Sequence, residues 1–415
     1  MTRALLRLAA ALLGVVSLAA QPLPADLASV APLIAGHRTQ RENITIGTRT
    51  IDITLTVPAD ASADATAALL LATRTALVRL ETWLGPLSVP ALTVIDVPWH
   101  RAVAGASYPG LVITSTRWLS TSRDPASERP LLAALARQYT FSIAAPGDAD
   151  GVFEEGLALY LGRRLIHQQL HQRNFETPRF FGGFIPFSIR SVLNSERPED
   201  PRPHLEHLAD VEMPPDAPWR AASAAISAPA QRMAAALQTF ERHVGWPAFQ
   251  QVLEHFMARF RGRAATTADL MAVASEVIGR DLSSFFEQGT LDPEFDYAIV
   301  DLRNGVGDGG FTTTVVVRRT GRPLSLGVPL LVRFEDGAEV TEQVDGGDVE
   351  QAYVYRGPAR AVLASVDPDA VLVIDTNREN NTRVIGAPTN WIGVRLALNW
   401  ITWLQDAMLA YTALL

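Results

Sequence analysis

Residues 131–161 read LLAALARQYT-FSIAAPGDAD-GVFEEGLALY-L, and the fold turns on them. Apolar residues recur at helical spacing from Arg129 to about Ala144. A loop holding Pro146, Gly147, Asp148 and Asp150 interrupts the pattern. A second helical pattern runs from about Phe153 to Gln172. On the N-terminal side, Arg49–Val57 alternates apolar and polar residues, the mark of a half-buried strand. Ala63–Leu84 has helical spacing with no internal Gly or Pro, and Leu92–Val97 and Leu111–Thr114 read as further strands. On the C-terminal side, 173–218 is irregular, and 222–289 reads as helices broken at Gly245-Trp246-Pro247 and near Gly262.

After Asp292-Pro293 the composition changes. Strand-like runs follow at Thr312–Arg318, Leu330–Phe334, Ala352–Tyr355 and Val371–Ile374. Turns such as Gly305–Gly310 and Asp345-Gly346-Gly347 separate them. This is the pattern of a small antiparallel β-sandwich. The sequence therefore predicts an α+β chain. A mostly helical domain with an N-terminal strand-containing lobe spans 45–291, and a β-sandwich spans 292–386.

The two ends differ from this middle. Arg3 and Arg7 precede an apolar run from Leu8 to Ala20, closed by small residues. The run is shorter than the roughly 20 residues that cross a bilayer. Residues 1–20 read as a signal peptide or an N-terminal anchor, which puts the rest of the chain outside the cytoplasm. Residues 21–44 are a lead-in without a clear period. In 390–415, Arg395, Asn399, Thr402 and Asp406 fall on one helical face, and tryptophans and leucines occupy the others. Such a helix lies on a membrane surface or docks on protein, and residues 391–415 are the expected contact.

Composition removes much chemistry. The chain has 36 basic and 44 acidic residues, a net charge of −8, and every basic residue is arginine. With no lysine and no cysteine, there is no Schiff base, P-loop lysine, thiolate nucleophile or Cys-bound metal. Acidity spread along the chain excludes nucleic acid as the expected partner.

Three segments in order resemble the aminopeptidase-N-like (gluzincin) family of zinc metallopeptidases. Residues 104–112 read A-G-A-S-Y-P-G-L-V, where the family has G-G-M-E-Y-P-G-L-V. Residues 131–139 read L-L-A-A-L-A-R-Q-Y, where the family has x-x-H-E-L-A-H-Q-W. Residues 154–161 read E-E-G-L-A-L-Y-L, against N-E-G-F-A-x-Y-L. The 18 residues from Arg137 to Glu155 are one fewer than the family's spacing. Looser likeness continues through 266–288 and the DTNRENN segment at 375–381, so the resemblance covers about 45–385.

The resemblance implies a thermolysin-like fold in which two histidines and a glutamate hold zinc. Carried over residue by residue, the histidine positions are Ala133 and Arg137, and the general base is Ala134. The glutamate that holds a substrate's amino group is Ser107, and the oxyanion tyrosine falls near Ser227. Only Glu155 survives as a ligand, so no catalytic residue and no cofactor are expected. Alanine offers neither a lone pair nor a proton, which implies a pseudo-peptidase. In the family fold positions 137 and 155 face each other across the metal, so Arg137 is expected to pair with Glu155.

The cleft candidates are Tyr108, Gly110 and Glu154, with Phe180, Phe181, Phe184, Ile185 and Phe187 in or near a cleft that would take a peptide or protein ligand. The alternative is an active zinc enzyme with displaced ligands. His167 and His171 have the four-residue spacing for this, although no glutamate lies between them. His204 and His207 lie in a Pro-rich loop beside Glu206 and Asp210.

Overall fold

A computed structural model describes residues 34, 36–98, 107–116, 129–143, 152–172, 228–286, 294–307, 310–324, 327–344 and 347–385. The chain divides into two compact units. One takes Met1–Leu193, Glu199–Ala234 and Gln250–Thr266; the other takes Asn194–Pro198, Ala235–Phe249 and Thr267–Leu415. Helical residues on both sides of Gln250–Thr266 thus belong with the strands that follow 292. The sequence boundary near 292 marks only the change from helix to strand.

The first unit is built on a mixed five-stranded sheet. Its strands are β1 (His37–Ile46), β2 (Arg49–Pro58), β3 (Ala91–Pro98), β4 (Ser107–Tyr108) and β5 (Leu111–Thr116), in the order β1-β2-β3-β5-β4. β2, β3 and β5 run parallel, and β1 and β4 pair antiparallel at the two edges. Leu92–Val97 of β3 is buried at every position, as a central parallel strand covered on both faces must be. β1 lies mostly inside 21–44, the segment read as a lead-in without a clear period. Its residues are largely polar and only Ile44 is fully buried. Its register comes from ten pairings with β2, from His37 against Pro58 to Ile46 against Arg49, and not from an apolar alternation of its own.

Helix α1 (Ala63–Leu84) carries the chain from β2 to β3. The Ser62 side chain accepts from the Ala65 amide at 3.1 Å and caps its start. Gly85 ends it with φ +75°, a conformation that favours glycine, and its N–H donates to the Glu81 carbonyl at 2.9 Å. A Cβ on Gly85 would lie 2.7 Å from Arg261 Nη2. That guanidinium donates to the Leu84 carbonyl at 2.8 Å and places positive charge at the negative end of the helix.

Helix α2 (Arg129–Thr140), with a 3-10 turn at Phe141–Ile143, and helix α3 (Val152–Gln172) are the two helices expected from the opening stretch. Three more follow: α4 (Ala228–Val244), α5 (Trp246–Phe260) and α6 (Thr267–Ile278). The breaks fall at Gly245 and Gly262, as the sequence indicates.

The second unit contains two antiparallel sheets. β6 (Asp296–Gly307), β7 (Gly310–Thr320) and β10 (Glu350–Gly357) form one, in the order β10-β7-β6. β8 (Val328–Phe334), β9 (Glu339–Val344), β11 (Ala361–Val366) and β12 (Thr382–Val384) form the other, in the order β12-β11-β8-β9. Tyr297, Ile299, Val315 and Val317 of the first sheet share one core with Leu330, Val332, Ala364 and Val366 of the second. Val371–Ile374 is not the strand its apolar run predicts. Its amides are taken by side chains: Val371 and Leu372 donate to the Asp367 carboxylate at 2.8 Å, and Val373 and Ile374 to Thr239 Oγ1 at 2.9 and 3.3 Å. Leu372 and Ile374 are apolar because they enter the core, not because they pair in a sheet.

Among the described residues no helix is long and apolar enough to cross a membrane. The expected signal segment at 1–20 and the C-terminal helix at 390–415 lie outside the described residues.

Asp375 is 7 % exposed and accepts from Asn381 Nδ2 at 2.9 Å, the Asn377 amide at 3.0 Å and the Tyr297 amide at 3.4 Å. Burial pushes its pKa up to about 6, against the lowering by these donors, and the nearby Asp296 carboxylate adds to the rise. The folded pKa therefore exceeds the ordinary value of 3.8. The folded state binds this proton more tightly, so the contribution to stability is full below about pH 4 and lost as pH rises through about 6. Thermal unfolding across that range should show wild type gaining on Asp375→Asn as pH falls. A pH-independent difference between the two would show that Asp375 does not titrate in this way.

Candidate functional site

Helices α2 and α3 approach closely because α3 carries glycine where they meet. A Cβ on Gly162 would lie 2.9 Å from Ala133 Cα and 3.3 Å from its Cβ. Real Cβ atoms do not sit that near to a backbone atom, so any larger residue at 162 would push the helices apart. Gly156 plays the same part toward α4, where a Cβ would overlap the Met233 side chain.

Arg137 and Thr140 lie three apart on one face of α2, and both reach Glu154 in the first turn of α3. Arg137 Nη2 is 3.5 Å from Glu154 Oε2, and Thr140 Oγ1 donates to Oε1 at 2.5 Å. The guanidinium also lies over the Phe141 ring, 5.5 Å from its centroid. Arg137 therefore pairs with Glu154 and not with Glu155, the partner the resemblance implied. Successive helix residues point about 100° apart. The face turned toward Thr140 carries position 154, which is 8 % exposed, while Glu155 is half-buried. Burial raises the Glu154 pKa; Arg137 and the Thr140 hydroxyl oppose the rise, and Glu155 adds to it. Arg137 Nε is buried and has no hydrogen-bond partner among the described residues.

On its other side α2 is stitched to the edge of the sheet. Gln138 is 3 % exposed. Its Oε1 accepts from the Gly110 amide at 2.8 Å. Its Nε2 donates to Ser107 Oγ at 2.6 Å, to the Tyr108 carbonyl at 2.8 Å and to the Leu111 carbonyl at 3.2 Å. Ser107 Oγ then donates to the Ala134 carbonyl at 2.8 Å. Gly110, with φ +77°, makes the turn from β4 to β5 that brings these carbonyls round Gln138. Ser107 and Ala134 are the positions that the resemblance assigns to the amino-group glutamate and the general base. Here they are bonded to each other in a buried seam.

Tyr108, Gly110 and Glu154 thus gather round α2, but through backbone groups or a buried carboxylate. The sequence reading gave no role to Gln138, Thr140 or Phe141. Gln138 left a signal: Leu131, Leu135 and Gln138 follow the i, i+4, i+7 spacing of a buried stripe, and a polar residue there needs internal partners. Ser227, the 180–187 aromatics, His204 and His207 lie outside the described residues. His167 and His171 fall within α3, but their side chains are outside the described set.

These residues do not fit a zinc ion. Of the assigned ligand positions, two hold alanine and arginine, and only Glu155 offers a ligand atom. Among the described residues no three His, Asp or Glu side chains come together in a way that could hold a metal.

The crystal structure of Legionella pneumophila aminopeptidase A in complex with aspartic acid is similar to this chain, with a TM-score of 0.51 at 15% identity. The match covers 80% of this chain and 37% of that one, so the chain spans little more than a third of that enzyme's length. A mutant M1 zinc metallopeptidase from Deinococcus radiodurans gives a TM-score of 0.38 at 21% identity, over 61% of this chain and 50% of that one. The chain carries an M1-aminopeptidase-like fold. No family model and no curated protein matches the sequence. In this M1-like fold, α2 and α3 are the helices around which the described candidate residues gather.

Gln138→Leu would leave the Gly110 amide buried without its acceptor and take a donor from Ser107 Oγ and from the Tyr108 and Leu111 carbonyls. It should lower unfolding free energy by about 3 kcal/mol. Denaturant unfolding checks this, and an unchanged midpoint would mean that other groups or water replace the amide.

Proposed function

We propose that the chain is an exported, non-catalytic aminopeptidase-like protein that acts as a binding or scaffold module at a membrane surface. One observation carries the reading. Ala133, Ala134 and Arg137 supply no zinc ligand and no base, and α2 is closed against α3 at Ala133 and Gly162. Zinc hydrolysis needs an open metal position and a group to take the proton of the bound water. Alanine does neither, and a guanidinium repels the ion. A peptide or protein ligand in the former substrate cleft, and a membrane or envelope partner for residues 391–415, complete the proposal.

Metal analysis of the purified full chain beside an aminopeptidase assay tests the first part. Zinc well below one per chain and no turnover are expected. One zinc per chain with chelator-sensitive turnover would overturn the reading, and His167 and His171 would then be the first ligands to replace.

Deletion of 390–415 tests the second part. The shortened chain should leave the membrane fraction and remain folded. Retention there would place the attachment elsewhere.

A further inference from the structure

The guanidinium of Arg137 stands at a position where the resemblance expects a metal ligand, and its bonding is incomplete. Among the described residues its ion pair is with Glu154, through Nη2 at 3.5 Å. A charge-assisted N–H···O bond is shorter, about 2.7–2.9 Å, and an Arg–carboxylate pair is frequently bidentate. Nε is buried with no partner. The Phe141 ring holds the plane of the cation without using any of its donors. Glu154 Oε1 accepts from Thr140 at 2.5 Å, and Oε2 is the oxygen paired with the arginine. The side chain of Arg137 nevertheless remains 36% exposed, while that of Glu154 is 10% exposed. The cation is thus oriented, partly accessible and, at Nε, without an acceptor among the described residues.

We propose that Arg137 is a carboxylate-binding subsite, which receives a ligand carboxylate beside Glu154 and Phe141. The inference rests on the reading that the cleft binds a peptide without cleaving it. A carboxylate matches the planar fork in geometry and charge. Glu154 already offsets part of the charge of Arg137, so a monoanion suits the site better than a phosphate dianion. A ligand oxygen also supplies the partner that Nε lacks, once the side chain turns toward it, and an orphaned N–H on a charged group is costly to keep. The carboxylate can come from a peptide C-terminus or from an acidic side chain.

Calorimetric titration of the full chain with three probes separates these sources: N-acetyl-Ala-Ala with a free acid, its C-terminal amide, and N-acetyl-Ala-Glu amide. At least one acid should bind roughly tenfold or more tightly than the plain amide. The preferred acid identifies the source. Arg137→Gln should bring that acid down to the level of the amide, and Arg137→Lys should restore only part of the difference. If Arg137→Gln does not fold, the acid-to-amide ratio on wild type still decides. Equal binding of all three probes would overturn the subsite and leave the peptide-binding reading intact. Binding of none would overturn both. Cleavage of an unblocked Ala-Ala peptide would overturn the non-catalytic reading alone, whatever the ratio.

Discussion

Helix α2 is gripped from both sides, and the described part of the first unit is organised round that grip. On one side the missing Cβ of Gly162 lets α3 close on Ala133. On the other, the fully buried Gln138 satisfies the β4–β5 turn through Gly110, Tyr108, Leu111 and Ser107. The two contacts are coupled by geometry. A helix that cannot move toward α3 without a backbone clash cannot move away from it without breaking the amide network. Buried polar networks of this kind contribute modestly to stability when complete and cost much more when one member is removed.

The parts of the fold that could be read from sequence are those whose signals are local. α1 runs from Ala63 to Leu84 as its pattern indicates, because a serine cap and a terminal glycine bracket a helix with no internal breaker. The breaks at Gly245 and Gly262 were legible for the same reason. β1 was not, since a polar edge strand acquires its register from β2. Val371–Ile374 looked like a strand because alternate residues are buried. Its amides are satisfied by Asp367 and Thr239, residues 4 and 134 positions from their first partners. No local pattern reveals an acceptor so distant in sequence.

The site divides along the same line. Which groups stand at the positions the resemblance marks is a matter of residue identity, and sequence supplies it: alanine at 133 and 134, arginine at 137, serine at 107. Which carboxylate Arg137 meets is a matter of helix phase. Glu154 and Glu155 are adjacent in sequence and about 100° apart in space, so a one-residue difference decides between a buried partner and a half-exposed one. The resemblance pointed to 155, because that is where a metal ligand would stand. Thr140 and Arg137 together select 154.

The pairing of Arg137 with Glu154 has an electrostatic logic. Glu154 is buried and would lose much by being left alone, and the guanidinium beside it supplies the opposite charge. The hydroxyl of Thr140 adds a donor to the same carboxylate. The result is a fixed cation beside the seam of α2 and α3. A guanidinium holds an anion through its planar donors, and it carries no lone pair with which to take a proton from water.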